Sequence, residues 1–256
     1  MSRERQPPRS TAWQAAGKWY DRAVGEAGHY HHQRVVLPGV LRLLRLGPGS
    51  SLLDLACGQG VLARAIPPDV EYCGVDLAPA LVESAKRQDR NPRHRYLVGD
   101  ATKPLPLEES RFSHAAVVLA LQNMDPGSAA VANAARHLRP GGRLAIVLNH
   151  PCFRIPRQSS WEIDPRNKLQ FRRVNRYLAP LKIPIRTNPS AGERSPVTLT
   201  FHHPLSDYSR WLAEARMSIE LIEEWASDKT SEGKAARMEN LSRSEFPLFL
   251  TILAVK

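Results

Sequence analysis

Leu52-Leu53-Asp54-Leu55-Ala56-Cys57-Gly58-Gln59-Gly60 is the stretch that decides the fold. A short apolar run passes straight into a glycine-rich turn, and apolar residues at helical spacing resume behind it. Glycines there let backbone amides approach a ligand at the positive end of a helix. Working outward, two helices over residues 11–24 and 31–46 precede the first strand, the second ending at Gly47-Pro48-Gly49. Strands are predicted at 51–56, 72–76, 95–98, 114–121 and 143–148, with helices at 59–66, 79–88 and 127–138. Strands and helices that alternate through short loops dictate a doubly wound α/β fold, a mostly parallel sheet covered on both faces.

The alternation stops after residue 150. Residues 151–203 hold seven prolines and no sustained period, although 170–178 and 197–201 read as strands. This is too long for a simple connection and is expected to form a cap over the strand ends. A helix at 205–215 and strands at 218–225 and 246–255 follow, with a polar loop at 227–245 between the two strands. The domain reading is a disordered tail at 1–10, lid helices at 11–47, a core at 48–150, a cap at 151–203 and a completing segment at 204–256.

The 256 residues are 42% hydrophobic, with a mean hydropathy of −0.37. The longest uncharged apolar run, 246–255, is too short for a spanning helix, so no membrane role is expected. No apolar segment follows the charged, Pro-rich start, which points to a cytoplasmic protein. Cys57, Cys73 and Cys152 form no C-x-x-C pair and read as free thiols. The net charge of +11 is localised: residues 151–200 alone carry ten bases and three acids. Arg154, Arg157, Arg166, Lys168, Arg172, Arg173, Arg176, Lys182, Arg186 and Arg194 make either a solvated face or a surface for an anionic substrate or partner.

The glycine turn alone is ambiguous. Gly58, Gly60 and Ala63 also satisfy the dinucleotide pattern G-x-G-x-x-A, with Asp76 placed for ribose hydroxyls at the end of the next strand. Three features argue against a nicotinamide or flavin enzyme. Asp54 is acidic at the tip of the first strand, where it would repel a pyrophosphate but hold an ammonium. Asp100 ends the third strand, suited to accept from an exocyclic adenine amine. The chain also closes on two apolar strands, unlike the standard dinucleotide sheet.

The sequence resembles the class I S-adenosylmethionine-dependent methyltransferases, in the type 11, ubiquinone/menaquinone-like small-molecule branch. The resemblance rests on DLACGQG (54–60), GVDLAPALVESAK (74–86), VGDATKPLPLEESRFSHAAVVLALQNM (98–124) and LRPGGRLAIVLNHP (138–151), in order at family spacing. It implies a seven-stranded Rossmann-like sheet whose last strand is antiparallel and inserted beside the fifth. It implies S-adenosylmethionine as the cofactor, with Asp54, Ala56, Gly58 and Gly60 around the methionine moiety and Asp76 on the ribose. Leu77 would flank the adenine, Asp100 and Ala101 its edge, and Leu119 to Gln122 would pass under the sulfonium. Ala56 departs from the commoner glycine. The ending resembles a subset with His150-Pro151 after the fifth strand and His202-His203-Pro204 before the next helix.

Methyl transfer from a sulfonium is an in-line displacement, so the protein must align the partners and exclude water, with a base only where the acceptor loses a proton. His150 is the first candidate for that base and His203 the second. Tyr20 and Tyr30 are expected as lid aromatics, Tyr30 over the cofactor. His29-Tyr30-His31-His32 has a metal-like composition, but nothing completes a site at recognisable spacing, so no metal is expected. The leading expectation is a small-molecule methyltransferase with an anionic acceptor and O-methylation. The alternatives are an RNA methyltransferase using the Arg-rich cap and a non-catalytic cofactor-binding protein. Oligomeric state is left open.

Overall fold

The computed structural model describes residues 29–186, 192, 195 and 197–256. The helix expected at 11–24, Tyr20 and Arg194 lie outside the described residues. The strands are β1 (Ser51–Leu55), β2 (Glu71–Asp76), β3 (His94–Val98), β4 (Phe112–Val118), β5 (Leu138–Asn149), β6 (Ser159–Asp164), β7 (Leu169–Val174), β8 (Leu181–Arg186), β9 (Val197–His202), β10 (Ser218–Trp225) and β11 (Phe249–Val255). The helices are α1 (Leu37–Leu44), α2 (Pro79–Gln88), α3 (Gly127–His137), α4 (Leu205–Glu214) and α5 (Ala236–Glu245).

Seven strands form one sheet in the order β10-β11-β5-β4-β1-β2-β3. The first five in the chain run parallel, and β11 lies antiparallel beside β5, as the resemblance implies. The side-chain period of two sends β1 to both faces. Leu53 and Leu55 pack with Val117 and Ile146 under α3 and α4, whereas Leu52 packs with Ala116, Val147 and Tyr72 under α1 and α2. The chain order reverses at β1, which pairs with both β2 and β4, and this opens a crevice at the carboxyl ends of those strands.

Several elements differ from the sequence reading. The helix expected at 59–66 is a run of turns ending in a single 3-10 turn, Ala63–Ala65. Pro67-Pro68 follow at once, and the residue before a proline is pushed to extended backbone, as Ile66 is at ψ 160°. The helix expected at 31–46 starts as a π-helical turn, His32–Val36, and continues as α1. The cap consists of two antiparallel hairpins, β6–β7 and β8–β9, the latter containing Pro184. The loop expected at 227–245 contains α5, against which the first hairpin leans through Ser242 Oγ donating to the Gln170 carbonyl at 3.0 Å. Among the described residues, no helix is long and apolar enough to cross a membrane.

Candidate active site

A cavity of about 550 Å³ opens at the carboxyl ends of β1, β2, β4 and β5, within the range of small-molecule sites. One end is lined by Ala56, Gly58, Asp76, Leu77, Asp100 and Ala101. The other is lined by His31, His32, Asn149, Arg154, Ile185 and Thr200, so the N-terminal segment, the start of the cap and the second hairpin close it. Leu119 and Gln122 lie between.

Asp76 organises the first end. Its Oδ2 accepts from the Gly58 amide and its Oδ1 from the Ala78 amide, both at 2.8 Å, tying the glycine turn to the start of α2. Burial raises its carboxyl above the ordinary value, against the pull of the two amides. Leu77 beside it is 40% exposed, an apolar face free for a planar ring. Asp100 Oδ1 takes the Thr102 amide at 2.9 Å and hydroxyl at 2.7 Å, and Oδ2 has no protein partner among the described residues.

Ala56 sits in left-handed backbone, at φ 59°, where an L side chain is disfavoured and glycine is not. Ala56→Gly is therefore expected to stabilise the fold by about 1 kcal/mol, raising Tm by ~2–4 °C with cofactor affinity unchanged, which a thermal melt will check. Leu119 is also left-handed, at φ 53°, held by its amide on the Val147 carbonyl at 2.8 Å. The Gln122 side chain donates to the Leu119 carbonyl at 2.8 Å, and its buried Oε1 has no partner among the described residues.

Four expected positions are not brought to the cavity. Asp54 shares its face of β1 with Leu52, so its carboxylate turns under the glycine turn. There it accepts from the Tyr72 hydroxyl at 2.7 Å and is buried, its pKa raised to about 7 by that burial. Gly60, at φ +77°, is a packing position, since a Cβ there would meet the Tyr96 hydroxyl at 2.9 Å and the Ala85 Cβ at 3.3 Å. His150 is buried with both ring nitrogens used: Nδ1 accepts the Cys152 amide at 3.2 Å and Nε2 faces Glu224 at 2.6 Å. His203 lies at the foot of α4, with Nδ1 on Asp207 at 3.0 Å and its ring against Trp211.

Tyr30 is also outside the lining: it is 42% exposed, with the Lys229 ammonium 4.6 Å from its ring centre. Its neighbours take the place expected of it, since His29, His31 and His32 line the cavity. His31 Nε2 lies 3.2 Å from the Ser227 hydroxyl. His32 Nδ1 is buried without a partner among the described residues, and burial, reinforced by His29 and His31, pushes its pKa down to about 4, so the ring is neutral at pH 7. No group of metal-ligating side chains large enough to hold an ion occurs among the described residues. The one sequence signal for this wall was the histidine cluster itself. Burial pushes the Cys57 thiol well up, which makes it inert.

The residues present fit S-adenosylmethionine. Asp76 keeps lone pairs for a ribose diol, Asp100 Oδ2 is free to accept an adenine amine, and the orphaned Gln122 Oε1 is free to accept from the ligand. Comparison with known proteins agrees. Residues 53–146 match the family model described as a methyltransferase domain. The demethylmenaquinone methyltransferase of Beutenbergia cavernae is 31% identical over 145 residues, 56% of this chain and 55% of that protein. The malonyl-[acyl-carrier protein] O-methyltransferase of Hahella chejuensis is 29% identical over 174 residues, 66% of this chain and 57% of that protein.

A Mesorhizobium loti S-adenosylmethionine-dependent methyltransferase structure superposes with a TM-score of 0.68 at 23% identity, covering 91% of this chain and all of that one. The chain spans between about a third and somewhat over half the length of the curated relatives it matches. Residues 53–146 are thus similar to the methyltransferase domain family, and the fold is that of the superposed structure.

Proposed function

We propose that the chain transfers a methyl group from S-adenosylmethionine to the oxygen of a small, anionic acceptor. The observation that supports this best is the two-ended cavity. Asp76, Leu77 and Asp100 offer cofactor-binding groups at one end, and a wall of neutral imidazoles, Asn149 and Arg154 leaves the other for a second molecule. The cofactor supplies an electrophilic methyl group on a sulfonium. What remains for the protein is alignment and exclusion of water. Thr200 helps close the site, its hydroxyl donating to the Gln122 carbonyl at 3.1 Å and fastening the second hairpin over the strand ends.

The acceptor-orienting role moves from His150 and His203 to His32, whose ring lines the cavity and is held neutral by burial, with no partner for Nδ1 among the described residues. Relatives named demethylmenaquinone methyltransferase and malonyl-[acyl-carrier protein] O-methyltransferase support a small acceptor group, and the second name supports oxygen as the methylated atom. The test is formation of S-adenosylhomocysteine and methylated product when the protein is offered hydroxylated aromatic and aliphatic acids, with tRNA as a competing acceptor. The acids are expected to turn over and tRNA is not. His32→Ala should lower kcat about 100-fold without changing cofactor affinity, and His203→Ala should leave kcat within about threefold. Product from tRNA alone would overturn the reading.

A further inference from the structure

Arg154 follows β5 and lines the cavity with Asn149, Pro156 and Thr200, β5 lying on the opposite side of β1 from β2 and β3, whose ends carry Asp76 and Asp100. Its backbone amide is used, donating to the His150 carbonyl at 2.8 Å. Its guanidinium forms no hydrogen bond and no ion pair with any described residue. Neighbouring arginines behave otherwise. Arg172 donates to the Phe153 carbonyl at 2.8 Å and to Ser159 Oγ at 2.9 Å, with its guanidinium 5.1 Å from the Trp161 ring centre, and Arg173 pairs with Glu162. The groups around Arg154 make matters worse for a lone cation. Burial, with Arg172 adding to it, presses its pKa down to about 10, and Arg154 in turn presses on His31 and His150.

A half-buried guanidinium with five donors, a second cation nearby and no carboxylate partner among the described residues is costly to keep. The cost is removed when a ligand brings the missing anion, and a planar fork matches a carboxylate in two parallel bonds. The walls between Arg154 and the cofactor end, Val118, Leu119, Ile185, Leu248 and Phe249, are apolar.

We propose that Arg154 is the specificity-determining residue of the acceptor site, receiving a carboxylate that the acceptor carries on an apolar body. This rests on the methyltransferase reading above and adds the substrate class to it.

The test uses the full chain saturated with S-adenosylhomocysteine. It is titrated calorimetrically with benzoate, 3-phenylpropanoate and 2-naphthoate, each against its own carboxamide. At least one acid is expected to bind about tenfold or more tightly than its amide. Arg154→Gln should abolish that preference and Arg154→Lys should keep part of it, while both bind S-adenosylhomocysteine within about twofold of wild type. Three results would overturn the assignment: no acid-over-amide preference for any pair, a preference that survives Arg154→Gln, or a matching loss of S-adenosylhomocysteine affinity in that variant. The last would give the guanidinium to the cofactor's own carboxylate. Failure of the wild type to bind S-adenosylhomocysteine would instead overturn the reading beneath it, and this one with it.

Discussion

Asp76→Ala should reduce S-adenosylmethionine affinity at least about 100-fold while the chain still unfolds cooperatively. The carboxylate takes two backbone amides at 2.8 Å, one from the glycine turn and one from the start of α2, and it lines the cavity as well. Charge-assisted bonds of this kind contribute ~1.5–3 kcal/mol each, and about 1.4 kcal/mol is a factor of ten in affinity. Losing the anchor of the glycine turn together with a ligand contact therefore exceeds 3 kcal/mol by a rough count. Asp76→Asn keeps one acceptor oxygen and should fall between the two. Calorimetry on all three proteins, with melts as folding controls, reads the series. An alanine variant that binds within about threefold of wild type would remove Asp76 from the site.

The second large effect concerns Asp54 and pH. Burial lifts its pKa from 3.8 to about 7 in the folded protein, the Tyr72 hydroxyl opposing that rise and Asp76 adding to it. An acid whose folded value is raised holds its proton more tightly when folded. Its contribution is therefore intact below the unfolded value and is lost as pH climbs toward 7. The loss between pH 5 and pH 8 comes to about 3 kcal/mol. Asp54→Asn removes the titration, so the stability gap between variant and wild type should shift by that amount in the variant's favour over this interval. On melting curves the shift is ~6–12 °C. His32 works in the opposite direction below pH 6.5, because a histidine held neutral by burial destabilises the fold as acid protonates it. The comparison between Asp54→Asn and wild type cancels that contribution. A gap that stays constant with pH would show that Asp54 does not titrate as its burial requires.

The sheet was legible because its central strands β1, β2, β4 and β5 are largely buried and read as short apolar runs between turn signals, whereas β3 and β10 at its edges are partly exposed. The end of the cavity with Asp76, Leu77, Asp100 and Ala101 was legible because those residues sit in motifs tied to strand ends. Asp54 is expected in the loop around the methionine moiety, and the alternation of Leu52, Leu53, Asp54 and Leu55 places its carboxylate on the Tyr72 face, buried against that hydroxyl. The β8 strand was hidden by Pro184, which a two-stranded edge pairing tolerates. Helix α5 was hidden by its polar composition, with few apolar positions to mark a face. The histidine wall needed tertiary information: His31 meets Phe249 across more than two hundred residues of chain, and no local pattern encodes that contact.

The most direct test of the central claim is a calorimetric titration of the full chain with S-adenosylmethionine and, separately, with NADH. The account predicts saturable one-site binding of S-adenosylmethionine and none of NADH. Binding of NADH in preference to S-adenosylmethionine, or no binding of S-adenosylmethionine by a folded protein, would contradict it.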